Sequence, residues 1–238
     1  MAVLIETGLV DYEAGLALQR LVWGKRVKRE VEDTLILLEH PPVITIGRRA
    51  DKRHLLVVET TLEQRGIRVY QIERGGDITY HGPGQLIGYL IFHLKEGLVG
   101  VRRFIENIEQ ALIKALGEFN IRAHTKERLI GVWVKDKKIA SIGVAFKDGV
   151  SMHGFALNVK RDLSGFQLIN PCGLSAEQMT SMEMVLNREV DPNAVRSAVR
   201  IGLEAVFGFV FQKNLPLSLT SLTNFLSSAH ISSTSLRE

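Results

Sequence analysis

The chain has 238 residues, a formal net charge of +4 and 45% hydrophobic residues. That is the composition of an ordinary soluble globular protein, with length for one large domain or two small ones and for a normal core. One cysteine, Cys172, excludes an intrachain disulfide and a cysteine-based zinc site. No apolar run reaches the ~18 residues of a membrane span. The N-terminus lacks a secretory pattern, so a cytoplasmic location is expected.

The positive balance suits acidic partners. Its basic residues are scattered, apart from the cluster Lys25-Arg26-Val27-Lys28-Arg29. That cluster reads as a solvated helix end, where cations suit the helix dipole. No nucleic-acid-binding motif accompanies it, so neither nucleic acid nor membrane is an expected partner.

In chain order, Ala2 to Glu6 reads as a strand, and Asp11 caps a helix over Tyr12 to about Arg29. Thr34–Leu38 and Val43–Ile46 read as strands joined at Glu39-His40-Pro41-Pro42, because two prolines cannot sit in a central ladder. Gly47-Arg48-Arg49 follows as a basic edge near a site mouth. Glu59 to Gly66 is expected as a short helix, and Ile67 to Glu73 as a strand.

Next comes Arg74-Gly-Gly-Asp-Ile-Thr-Tyr-His-Gly-Pro-Gly-Gln85, with four glycines in twelve residues. A plain turn does not need so many, since each adds folding entropy. The spacing matches neither a P-loop nor a dinucleotide fingerprint. The stretch is read as a shaped ligand loop slung between two strands, the second being Leu86 to Leu94.

Val101 to Phe119 is the clearest amphipathic helix, with Phe104, Ile108, Ala111, Leu112 and Ala115 on one stripe. Val132–Val134 and Lys138–Phe146 are predicted to form a hairpin turning at Lys135-Asp136-Lys137, with Ser151–Val159 pairing next. Strand alternation puts Lys138, Ala140 and Ile142 on one face and Lys137 on the other. Asn170-Pro-Cys-Gly173 is a tight turn that presents a thiol rather than burying it. Asp191 caps a last helix, Pro192 to about Phe207. The expected organisation is one domain over 1–213, then a Ser/Thr/Leu-rich tail over 214–238 that is weakly ordered or docks late.

Several of these stretches, in this order, resemble the lipoyl(octanoyl) transferases, also called lipoate-protein ligase B. They are Gly8-Leu-Val-Asp-Tyr12, Arg74–Gln85 with Leu86-Ile-Gly-Tyr89, Gly131-Val-Trp-Val134 with Lys138-Ile-Ala-Ser-Ile-Gly143, His153-Gly-Phe-Ala-Leu-Asn158, Asp162-Leu163 and Asn170-Pro-Cys-Gly173. The resemblance covers about residues 8 to 210. It departs at Leu90, where a proline is common, at His93, where an acid is common, and at Met152, where an aromatic is frequent.

The resemblance implies an α+β fold, a central mixed β-sheet flanked by helices as in the biotin and lipoate protein ligases. It also implies transfer of an octanoyl (or lipoyl) group from acyl carrier protein to a lysine of lipoyl domains. Those domains belong to 2-oxo acid dehydrogenases and the glycine cleavage H protein. No cofactor, ATP or metal is implied, because a thioester is already activated. Cys172 would be the nucleophile. An unperturbed thiol, with pKa ~8.5, is mostly protonated at neutral pH. Lys138, by itself readable as a surface lysine of a hairpin, would serve as base and thiolate stabiliser. The acyl and thioester pocket is expected from Arg74, Gly75, Gly76, Asp77, Ile78, Thr79, Tyr80, His81, Ser141, Ile142, Gly143, Gly154, Phe155 and Ala156. His81 and His153 stand as alternative bases, or as holders of turns. Burial of six methylenes is worth roughly 5 kcal/mol at ~0.8 each, before ordering is subtracted.

Three rivals differ in chemistry. An ATP-dependent lipoate or biotin ligase would need no cysteine. An acyl-carrier-binding module would form no covalent intermediate. An ordinary cysteine hydrolase needs a histidine oriented beside Cys172, and no spacing in the sequence supplies one.

Overall fold

The structure, a computed structural model, describes residues 1–94 and 97–212. The predicted tail over 214–238 lies outside the described residues. Strand β1 (Ala2–Leu9) leads into helix α1 (Tyr12–Val27). The Asp11 side chain caps α1 by accepting the Glu13 N–H at 3.0 Å. Strands β2 (Thr34–Glu39) and β3 (Val43–Ile46) precede the short helix α2 (Glu59–Gln64) and strand β4 (Arg68–Gln71). Then come β5 (Ile78–His81), β6 (Gln85–Ile91), the long helix α3 (Gly97–Gly117), β7 (His124–Lys126), β8 (Leu129–Val134), β9 (Lys137–Lys147) and β10 (Val150–Asn158). Helices α4 (Met182–Leu186) and α5 (Pro192–Phe207) and the two-residue strand β11 (Phe211–Gln212) complete the described chain.

The large sheet has the order β11-β1-β2-β6-β10-β9-β8-β7. It is mixed: β1 runs parallel to β11 and β2, and the other pairings are antiparallel. Its interior strand β2 is apolar at successive positions because both faces are covered. Leu35 and Leu37 enter one core with Phe104, Ile108 and Leu112 of α3 and Val199 and Leu203 of α5. Ile36 and Leu38 enter the other with Leu18 and Val22 of α1. Helices therefore flank a mixed sheet, as expected. The basic cluster forms the end of α1, where Arg26 pairs with Asp33 at 2.7 Å and Lys25 with Glu30 at 3.5 Å.

The twelve-residue glycine stretch is not one loop. Ile78–His81 is a strand, antiparallel to β3 in a separate three-stranded sheet ordered β4-β3-β5. The strands expected on either side of the loop thus belong to different sheets, and the chain changes sheet between His81 and Gln85. Composition hid this, because Ile-Thr-Tyr-His has strand propensity but is only four residues long between two glycine-rich segments. The β8–β9 turn is also tighter than expected, with Lys137 already in the strand. Of the three departures, Leu90 is fully buried in the main core and Met152 packs with Tyr12 and Leu16. The His93 backbone N–H donates to Asp33 at 2.9 Å.

Candidate active site

A cavity of ≈ 590 Å³ lies between the large sheet and the segment that follows β4. This is within the roughly 300–1,000 Å³ of small-molecule sites. Strands β9 and β10 contribute Ser141, Ile142 and Gly143 and Gly154, Phe155 and Ala156. From the other side come Arg74, Gly75, Gly76, Asp77, Ile78, Thr79 and His81. Exposed Arg49, Arg128, Leu129 and Ile130 also line it and form its mouth, whereas Arg48 does not. Tyr80 stands outside this lining, packed edge-on against Phe166 at 5.9 Å in a separate core. In β5 the alternation of side chains sends Thr79 and His81 one way and Tyr80 the other.

The shape of the glycine segment comes from its lacing. Backbone N–H groups of Gly47, Arg48 and Arg49 donate to the carbonyls of Asp77, Arg74 and Gly76 at 3.0, 3.1 and 3.1 Å. The Gly75 N–H donates to Val144 O at 2.8 Å, so this amide is committed to the sheet and not to a substrate oxyanion. Arg74 is buried. Its Nη2 donates to Thr45 O at 2.7 Å and Oγ1 at 3.0 Å, and its Nη1 to Gly75 O at 3.1 Å. The guanidinium therefore ties β3 to the loop, a planar fork that lysine does not reproduce.

One wall carries a cluster of rings. Tyr12, Tyr89, His81 and His153 line the cavity, and His40 lies behind Tyr89. His40 Nδ1 is 2.6 Å from Val10 O, which makes it the donor; Nε2, 2.6 Å from the Tyr89 hydroxyl, then accepts. Burial drives His40 and His153 down to about 4 and His81 to about 3. Arg74 adds to the effect at His81 and His153, while Glu73, 4.0 Å from His153 Nε2, opposes it. His153 is also held at φ 60 within β10, a rare conformation for a side chain that is not glycine. Its N–H donates to Gln19 at 3.0 Å.

Lys138 lines the same cavity and is only 5% exposed, unlike the surface lysine that a hairpin position suggests. Lys137 is exposed, as alternation requires. The Lys138 amine stands 5.5 Å from the Trp133 ring centroid, a cation–π arrangement. Its backbone is fixed by the Thr180 N–H, which donates to Lys138 O at 2.9 Å. Cys172 lies in a one-turn 3-10 segment, Pro171–Gly173, and both Pro171 and Leu174 line the cavity.

The sequence concealed a further pair. His54 Nδ1 hydrogen-bonds the Asp77 carboxylate, whose other oxygen accepts the Asp51 N–H at 3.1 Å. His54 also holds the cysteine turn, because its carbonyl accepts the Asn170 N–H at 2.8 Å. An oriented histidine thus neighbours that turn, 23 residues from its carboxylate partner in the chain, and no local spacing could show it. Tyr12, Tyr89 and Trp133 were likewise missed as lining residues, since in sequence each reads as ordinary core.

Residues 11–204 match the Lipoyl protein ligase A/B catalytic domain. The chain is 44% identical over 206 residues to an octanoyltransferase of Alkaliphilus metalliredigens, covering 86% of this chain and 94% of the relative. It is 43% identical over 210 residues to one of Caldicellulosiruptor bescii, covering 87% and 90%. Among solved structures it is similar to a lipoate-protein ligase A bound with ATP, with TM-score 0.72, 17% identity and coverage of 95% and 93%. It is also similar to a lipoate protein ligase from T. acidophilum, with TM-score 0.69, 17% identity and coverage of 96% and 93%. The chain therefore belongs to the lipoyl protein ligase A/B catalytic domain family.

Proposed function

We propose that the protein is an octanoyltransferase acting in lipoate biosynthesis. It takes an octanoyl group from its thioester on acyl carrier protein and delivers it to a lysine of a lipoyl domain. Residues 1–213 carry this chemistry. The observation that carries the mechanism is a lysine, Lys138, buried on the wall of a cavity that also meets the turn of Cys172. High identity to octanoyltransferases along most of the chain supports the substrate class.

The Cys172 thiolate attacks the thioester carbonyl carbon, and the carrier thiol leaves after taking a proton. The octanoyl-Cys172 thioester is then attacked by the acceptor amine, and Cys172 leaves as thiolate. Lys138 accepts the thiol proton in the first half and passes it to the leaving carrier thiolate, and, neutral again, accepts the amine proton in the second, ending as the cation beside the regenerated thiolate. Arg74, Gly76, Asp77, Thr79 and His81 shape one side of the acyl site, and Ser141–Gly143 and Gly154–Ala156 the other. The positive net charge suits two acidic carriers in succession. Relatedness to octanoyltransferases at 43–45% identity, and to ATP-using ligases in fold alone, favours transfer over ligation.

Intact mass after mixing with octanoyl-acyl carrier protein, without ATP, tests the reading. Wild type gains one octanoyl group that a lipoyl domain discharges, Cys172→Ala gains none, and Lys138→Ala acylates slowly at neutral pH. No gain in wild type, or full transfer rates in Lys138→Ala, would sink it.

A further inference from the structure

Glu109 of α3 is a buried carboxylate, 8% exposed, behind the cavity wall that Lys138 lines. Its Oε1 accepts the Gly131 N–H at 2.8 Å. Gly131 in turn has φ +132, and a Cβ there would lie 2.4 Å from Lys138 Cε, 3.1 Å from Lys138 Nζ and 2.6 Å from Ala140 O. The lysine side chain therefore runs through the space that glycine leaves empty. Without an acceptor, the Gly131 amide would be a buried, unpaired donor.

We propose that Glu109 is a positioning residue for the acyl transfer, holding Gly131 in the conformation that admits Lys138 and supplying a negative charge to that part of the site. The proposal rests on the octanoyltransferase reading for its role in catalysis, but its structural half does not. Burial raises the Glu109 carboxyl above its ordinary range, while the Gly131 N–H and the charge of Lys138 oppose that rise. By reciprocity the carboxylate favours the protonated amine. A thiolate formed beside that amine would then have a retained counter-charge.

Among the described residues, further charged groups stand in this region, including Arg128 on the cavity lining. From α3, Glu106 acts on Glu109. From β7, Lys126 stands 4.6 Å over the same Trp133 ring, with Asp136 of the β8–β9 turn 3.0 Å from its amine. Lys137 points the other way, near Glu177. The Pro171–Gly173 turn, whose Pro171 lines the same cavity, carries Cys172 in its sequence.

The test compares wild type, Glu109→Gln and Glu109→Ala. Gln keeps an acceptor for Gly131 and removes the charge; Ala removes both. Competitive acetylation of the Lys138 amine, read by mass spectrometry across pH, reports its protonation without requiring turnover. We expect Glu109→Gln to move that profile to lower pH by about half a unit or more, as loss of a nearby opposite charge requires. The acidic limb of the transfer-rate profile should move the same way. Glu109→Ala should in addition lose at least tenfold in rate. Superimposable labelling profiles for wild type and Glu109→Gln would overturn the charge role. Equal transfer rates for wild type and Glu109→Ala would overturn the positioning role. Failure of the octanoyl reading would instead show as no acyl transfer by wild type, with the labelling comparison still deciding the Glu109–Lys138 link.

Discussion

Acid lability of the histidine wall can be worked out from the structure. His40 and His153 are buried and neutral, each with its folded value lowered from 6.5 to about 4. A folded value below the unfolded one means that the unfolded chain binds protons first. Stability is therefore constant above pH 6.5, falls as the pH drops through 6.5, and levels only near 4. At pH 5 each histidine forfeits about 2 kcal/mol, from 1.36 kcal/mol per unit. His81 is lowered further, but unlike the buried His153 it is part-exposed to the cavity, where water screens it, and its share is discounted. The pair together removes about 4 kcal/mol, a large part of the roughly 5–15 kcal/mol of a typical domain. Tm should fall by about 10 °C between pH 7 and pH 5. Urea denaturation at both pH values measures it, and His40→Gln isolates one member. That variant should reduce the pH dependence by about 2 kcal/mol while losing stability at pH 7 through its contacts with Val10 and Tyr89. Equal stability of wild type at pH 7 and 5, or an unchanged pH dependence in His40→Gln, would refute the reasoning.

Two further substitutions probe the acyl site. In Gly88→Ala the new Cβ would lie 2.2 Å from the Phe155 ring. Moving that ring costs about 1–3 kcal/mol and shifts it into the cavity, so the longest acyl chain accepted should shorten; a chain-length series of acyl-carrier thioesters reads this, and an unaltered preference counts against Phe155 as a pocket wall. Arg74→Lys keeps the charge but loses the fork onto Thr45, so stability should drop by about 1–3 kcal/mol with slower single-turnover acylation. A lysine variant that matches wild type in both would show that the lacing of the glycine loop does not depend on guanidinium geometry.

The extent to which the sequence was readable varied with the physics of each element. Helix α5 was legible because Asp191 and Pro192 mark its start by local chemistry; its end is fixed by Gly208 in the left-handed conformation. Strand β5 was not, because four residues between glycine-rich turns carry too little periodicity. Tyr80 was expected among the pocket residues and stands outside the cavity lining, since which face of a strand meets a ligand depends on the sheet it joins. Lys138 in isolation looked like a surface residue, and only its packing against Gly131, Trp133 and the Met179–Thr180 segment shows it buried.

By itself the sequence determined what local interactions and composition can encode. These are the helix caps, the amphipathic stripe of α3, the turn that holds Cys172, and the ordered motifs that mark the family. Only the tertiary structure decided which distant groups meet. His54 with Asp77, His40 with Tyr89, and Glu109 with Gly131 are joined across 23, 49 and 22 residues. Such pairs leave no periodicity in the chain. They exist because two sheets and a helix close around one cavity, and buried polar groups must there find partners from whichever strand the fold brings near.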